Sequence, residues 1–167
     1  MLLVSCSGGG PSSGTQPPVS TTVVISQSVD PPRVDLIDDA VAALEAQLGG
    51  PQQFFEINAT SSLVNLIVAL NDGTVAQPWV YVQGDLSSSE GAEASGFSFS
   101  GTALDFDPDT VLSKLQAELP QSSPDLFFVE GGQGGVVQYS VAVTSKQGGQ
   151  LVVVVGPDGT IQSVDAG

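Results

Sequence analysis

The chain has 167 residues, with 18 acidic side chains against three basic ones and a formal net charge of −15. A charge of that sign repels phosphate backbones and disfavours docking of the folded body on anionic lipid heads, which excludes nucleic acid as a partner. There is no histidine and one cysteine, Cys6, which excludes an intramolecular disulfide, Ser-His or Cys-His catalysis and any His-ligated metal site.

Leu3-Val4-Ser5 precedes Cys6, and Ser7-Gly8 follows it. A hydrophobic residue, a small aliphatic residue, a small residue and then Cys resemble the lipobox of bacterial lipoproteins. There the thiol takes a diacylglyceryl group and becomes the mature N-terminus. The resemblance implies lipidation at Cys6, with residues 1–5 as the remnant of a signal peptide. It also implies an extracytoplasmic protein anchored to the cell membrane by lipid. One lipidated cysteine can carry more than one acyl chain, which stable anchoring requires. Residues 6–29 then form a tether, because Ser7 to Thr22 is Gly, Ser, Pro, Thr and Gln almost throughout. That composition cannot bury a core. Val23-Val24-Ile25 is a short β-branched run suited to an edge strand or an extended arm. No apolar run reaches the ~18 residues of a membrane-spanning helix.

A first unit spans residues 30–101. Asp30-Pro31-Pro32 breaks the chain before it. Val34, Ile37, Val41, Leu44 and Leu48 recur at steps of three and four, the apolar face of an amphipathic helix over 34–48. Gly49-Gly50-Pro51 stops that helix. Gln53 to Ala59 reads as a strand. Leu63 to Leu70 reads as the next, with Val64, Leu66, Val68 and Leu70 on one face and Asn65, Ile67 and Ala69 on the other. Asn71-Asp72-Gly73 is a turn signal. Trp79 to Gln83 returns as a third strand, Leu86 to Ser95 is a small, polar loop, and Phe97 and Phe99 alternate with serines in a fourth strand.

A second unit spans residues 102–167. Asp107-Pro108-Asp109 is a helix start, with Asp as N-cap and Pro at the first helical position. Val111, Leu112, Leu115 and Leu119 form the apolar face of a helix over 108–119, and Pro120 ends it. Strands follow at Leu126–Glu130, Val136–Thr144, Gln150–Val155 and Thr160–Val164. Lys146 to Gly149 and Gly156 to Gly159 are hairpin turns. Asp105, Asp107 and Asp109 space like the start of a calcium loop. Thr110 and Gln116 stand where such a loop needs glycine and a bidentate glutamate, so helix capping is the expected role.

The units read as copies of each other. Leu44 to Leu48 returns as Leu115 to Leu119 at a shift of 71, and Phe54-Phe55 as Phe127-Phe128 at a shift of 73. The second shift also aligns Val64 with Val137, Val68 with Val141, Val80 with Val153 and Val82 with Val155. The expected fold is α+β: a tandem duplication of a helix–four-strand unit, with one antiparallel sheet and two helices on one face.

Tyr139 to Val143, a Gly-containing turn, Leu151 to Val155 and then Asp158-Gly159-Thr160-Ile161 are similar to the PepSY domain pattern. In the first unit Leu66 takes the place of the tyrosine. The resemblance implies a non-enzymatic extracytoplasmic module, regulatory or inhibitory toward another protein. The tandem layout also resembles the beta-lactamase inhibitory proteins, in which a concave sheet face grips the enzyme.

If Val80 and Val82 pack under the helices, Trp79 and Tyr81 point at the open face of the sheet, near Ile67. Exposed aromatics on a sheet are favoured anchors for a protein partner; the alternative is that they cover the sheet or pack on Val23 to Ile25. Lys114 and Lys146 read as solvated charges, and no catalytic residue, metal ligand or cofactor is expected. Two functions remain open. One is a lipid-anchored module that binds another envelope or secreted protein through the open face. The other is a carrier of lipid or another apolar ligand in a cavity lined by Leu44, Leu115, Phe54 and Phe127.

Overall fold

The structure is a computed structural model that describes residues 30–166. Cys6, the signal-peptide remnant over 1–5, the tether over 6–29 and the Val23–Ile25 run lie outside the described residues.

A single 3-10 turn, Val34–Leu36, leads into helix α1, Ile37–Leu48. Its spacing of apolar residues buries Ile37, Ala40, Val41 and Leu44 on one side. Gly49 ends it in the left-handed region (φ 84°), with its N–H donating to the Glu45 carbonyl at 2.9 Å. Only glycine adopts that cap without steric cost. Helix α2, Pro108–Glu118, starts as the Asp-Pro dipeptide dictates. Asp107 Oδ1 accepts from the N–H groups of Asp109 and Thr110, at 3.0 and 3.3 Å, and Oδ2 accepts from the Thr110 hydroxyl at 2.7 Å. The acidic side chain therefore satisfies orphan donors at the positive end of the helix. No described helix is long and apolar enough to cross a membrane.

The strands are β1 (Gln53–Ala59), β2 (Val64–Leu70), β3 (Val75–Val82), β4 (Asp85–Ser88), β5 (Ala92–Glu93), β6 (Phe99–Ser100), β7 (Ser122–Gly131), β8 (Val137–Ser145), β9 (Gln150–Val155) and β10 (Ile161–Ala166). They form one ten-stranded antiparallel sheet in the order β10-β9-β8-β7-β1-β2-β3-β4, with β5 beside β3 and β6 beside β1. The described residues are therefore α+β, with two α-helices and one sheet. The middle of the sheet is the antiparallel β1–β7 pair, where Ile57 faces Val129 and Ala59 faces Phe127.

One face of the sheet carries the core. Directly opposed residues run across it as Trp79, Leu66, Ile57, Val129, Tyr139 and Val155. The next row runs Tyr81, Val64, Ala59, Phe127, Val141 and Val153. Helix α1 packs on β2 and α2 on β7, and the buried side chains of both helices join these rows in one cluster. Each large aliphatic or aromatic side chain closed into such a core contributes about 1.5–3 kcal/mol relative to exposure.

Several expectations need correction. The Leu86–Ser95 segment is not a loop throughout: β4 and β5 both pair with β3. The Phe97–Phe99 strand shrinks to β6, which pairs with β1. Phe99 packs on Phe54 with ring centroids 6.0 Å apart, whereas Phe97 stays 56% exposed. The Phe97 backbone passes so close to the end of β7 that a Cβ on Gly131 would lie 2.5 Å from its carbonyl oxygen, so only glycine fits there. Strands β3 and β7 also begin earlier than expected, at Val75 and Ser122.

The largest correction concerns the shift of 73. At that shift Val68 aligns with Val141, and both are fully buried. The shift fails at the next strand. Val68 pairs with Gln77, whereas Val141 pairs with Val153, so the counterpart of Val153 is Gln77 and not Val80. The hairpin turns differ: four residues separate the Leu70–Val75 pair, and five separate Thr144 from Gln150. Val80 is three residues from Gln77, and an odd displacement turns a side chain to the other face. Val153 is in the core, while Val80 is only half-buried and Val82 is 38% exposed.

Candidate functional site: the open sheet face

The second face of the sheet is built by the residues that alternate with the core rows. One row runs Ser87, Val80, Asn65, Asn58, Phe128, Ser140, Val154 and Ser163. The next runs Pro78, Ile67, Glu56, Glu130 and Gln138. Val80, Ile67, Phe128 and Val154 are half-buried by their strand neighbours, and both helices lie on the other face.

The polar centre of this face is ordered. Asn65 Nδ2 donates to Asn58 Oδ1 at 2.7 Å, and Asn58 Nδ2 donates to Glu56 Oε1 at 2.6 Å. Glu56 in turn stands directly opposite Glu130 across the β1–β7 ladder. Among the described residues, no side-chain cation pairs with these two carboxylates. Arg33 pairs with Asp35 at 2.8 Å, Lys114 pairs with Asp158 at 3.3 Å, and Lys146 Nζ donates to the Pro120 carbonyl at 3.1 Å.

Of the three residues expected to anchor a partner, only Ile67 is here. Trp79 is 7% exposed, faces Leu66 beneath the helices and donates its indole N–H to Gln77 Oε1 at 3.2 Å. Tyr81 faces Val64 and packs half-buried against the core. The cause is the hairpin parity described above, which exchanges the faces of Trp79 and Tyr81 with those of Val80 and Val82. Sequence reasoning missed Val80, Phe128, Val154 and the Glu56–Glu130 opposition. Counting pairs outward from the Asn71–Thr74 turn would have put Trp79 opposite Leu66 and found Val80.

The groups with displaced titrations sit in the exposed Arg33–Asp35 pair, at the α2 cap, in the β9–β10 turn and in the core. The Asp158 carboxyl is drawn down to about 2, chiefly by the Thr160 hydroxyl and backbone N–H, and then by Lys114. Asp107 is held below the usual carboxylate range, most strongly by the Thr110 hydroxyl. Burial pushes the Tyr139 phenol up, and its oxygen accepts from the Asp105 N–H at 3.0 Å. These are structural hydrogen bonds spread over separate turns, and they bring no nucleophile and base together.

Shallow grooves lie at the surface near α2. One of about 320 Å³ is lined by Pro31, Leu112, Ser113, Gln116, Ser123 and Pro124. Another, of about 200 Å³, runs between Leu119, Pro120, Ser122, Ser145 and Leu151. Leu44, Leu115, Phe54 and Phe127, expected to line a carrier cavity, are 0–1% exposed in the packed core and border neither groove. Compared with protein-family models, with curated proteins and with solved structures, the chain matches none.

Proposed function

We propose that this chain is a non-enzymatic, lipid-anchored binding module that engages another envelope or secreted protein through the open sheet face. The observation that carries the reading is the asymmetry of the sheet: the two helices close one face, while Ile67, Val80, Phe128 and Val154 sit half-buried on the other. Apolar and aromatic side chains surrounded by polar ones are the usual anchors of protein contacts. The absence of histidine supports a non-enzymatic role, and so does the commitment of Lys114 and Lys146 to Asp158 and Pro120.

The anchor rests on the Leu3-Val4-Ser5-Cys6 run and the polar segment after it. Labelling with a fatty-acid analogue tests it: Cys6→Ser should abolish the label and release the protein to the soluble fraction. We also read the sheet as a duplication of one helix–four-strand unit, the regulatory PepSY-like plan. The mirrored strand order about β1–β7 and the shared burial of Val68 and Val141 support this.

Capture from envelope extract tests the contact surface. The full chain should retain a defined partner that Ile67→Asp and Phe128→Asp lose at unchanged folding, while Asp38→Lys on the exposed side of α1 keeps it. An identical captured set for all forms removes the open face from consideration.

A further inference from the structure

We infer that Asp72 is a site of spontaneous modification, where the Asp72–Gly73 linkage isomerises to isoaspartate, while the fold protects the same sequence at Asp158–Gly159. The tripeptide Asp-Gly-Thr occurs twice, at residues 72–74 and 158–160. One copy turns the chain between β2 and β3, the other between β9 and β10. Glycine after aspartate leaves its main-chain nitrogen open to approach, because it carries no Cβ. In the reaction the Gly73 nitrogen attacks Asp72 Cγ. An N–Cγ bond forms, and the carboxyl OH leaves with the amide hydrogen as water. Water then opens the resulting succinimide. Breaking the N–Cγ bond restores aspartate. Breaking the bond from that nitrogen to the Asp72 main-chain carbonyl carbon gives isoaspartate, with the chain running through Cγ and a free α-carboxylate. No atom is gained or lost, and water is the only reagent.

Both aspartates are exposed, and both glycine N–H groups donate to a turn carbonyl: Gly73 to Leu70 at 3.0 Å and Gly159 to Gly156 at 2.9 Å. The difference lies in the carboxylates and in the room around the glycines. Asp158 Oδ1 accepts from the Thr160 N–H at 3.1 Å, and Oδ2 accepts from the Thr160 hydroxyl at 2.7 Å and from Lys114 at 3.3 Å. These bonds must break before Cγ can reach the Gly159 nitrogen. They also keep the carboxylate ionised, and an ionised carboxylate is a poor electrophile. Gly159 is buried against α2, where an added Cβ would lie 2.9 Å from Val111 Cα, so its main chain has no space to move into. At the first copy the threonine turns away: the Thr74 hydroxyl donates to the Asn71 carbonyl at 2.8 Å. Among the described residues, no hydrogen bond or ion pair holds the Asp72 carboxylate. Around Gly73 the nearest atom to an added Cβ is Phe55 Cζ, at 3.9 Å. Asn71 and Asp72 both adopt left-handed backbone, with φ of 51° and 56°. That conformation is strained for residues with a side chain, and an exposed turn of this kind opens readily.

The test is prolonged incubation of the full chain at neutral pH, native and in denaturant, followed by peptide mapping. Cleavage after Arg33, Lys114 and Lys146 puts Asp72 in the peptide 34–114 and Asp158 in 147–167. Isoaspartate leaves the mass unchanged, shifts the elution and blocks an endoprotease that cuts before aspartate. In denaturant the two identical tripeptides should react at similar rates. In the native chain Asp72 should accumulate isoaspartate at least about tenfold faster than Asp158, the factor that loss of one or two hydrogen bonds to a carboxylate sets. Asp72→Glu should abolish the product in 34–114, since the longer side chain does not close the five-membered ring. Thr160→Val, which removes the hydroxyl clamp, should speed the reaction at Asp158 and leave Asp72 unchanged. Equal native rates at the two sites, a faster reaction at Asp158, or a native Asp72 that stays intact while the denatured chain reacts would each overturn the inference.

Discussion

Trp79 stands directly opposite Leu66 across the β2–β3 ladder, and both side chains are buried in the core. That pairing fixes the faces of β3, and so decides which side of the sheet is free to meet a partner. Trp79 is the only tryptophan, so its fluorescence reports the orientation alone. Emission should be blue-shifted and protected from soluble quenchers. Trp79→Ala should cost about 3–5 kcal/mol in denaturant unfolding, as large-to-small core changes do. Red-shifted, quenchable emission would turn β3 over.

Tyr139 couples the long connection before α2 to the core. Its ring packs against Phe106 and Phe127, and its oxygen accepts from the Asp105 N–H. Tyr139→Phe keeps the packing and leaves that donor without its partner, which should cost about 1 kcal/mol. Tyr139→Ala removes the ring as well and should cost about 3–5 kcal/mol. Equal losses for the two would mean that the hydrogen bond carries the whole contribution.

Two carboxyls held low by hydrogen bonds, Asp107 at a helix cap and Asp158 in a hairpin turn, set an acid limit. The Asp158 carboxyl titrates at about 2 in the fold, against about 3.9 in an unfolded chain. A lowered carboxyl contributes stability that is complete above the unfolded value and is lost as pH falls through the folded one. Asp107, also lowered, acts in the same direction. Melting of the native chain should therefore fall toward that of Asp158→Asn between about pH 4 and pH 2, closing the gap between them. A gap unchanged over that range would contradict the hydrogen bonds from Thr160 to Asp158.

The Glu56–Glu130 opposition makes a stability prediction of its own. Glu130→Lys converts a like-charge cross-strand pair into an opposite one, and should raise stability by up to about 1 kcal/mol. Calorimetric melting at low salt gives the sign most clearly, since added salt screens the difference. A lower melting temperature would mean the two side chains do not face each other.

What could be read from the sequence was set by contrast between polar and apolar positions. In β2 the alternation of Val64, Leu66 and Val68 with Asn65 and Ile67 marks the core face without ambiguity, which is why Ile67 was assigned to the correct side. In β3 both faces are apolar: Trp79 and Tyr81 alternate with Val80 and Val82, so hydrophobicity does not discriminate. The aligned valines of β9 then misled, because the hairpin before β9 carries an odd difference in register. The helices were legible through their period, although Leu48, in the last turn of α1, is 39% exposed rather than buried. The position of β6 beside β1, and the meeting of Glu56 with Glu130, depend on pairing between distant segments. Neither follows from local propensity.

Protection of the open face in the presence of its partner tests the central claim most directly. Single cysteines placed by Val80→Cys, Ser140→Cys and Asp38→Cys in a Cys6→Ser chain can be labelled with a thiol reagent, first alone and then in envelope extract. Positions 80 and 140 should react readily in the isolated protein and be protected in the extract, while position 38 should react equally in both. Unchanged labelling at positions 80 and 140, or protection at position 38 instead, would contradict it.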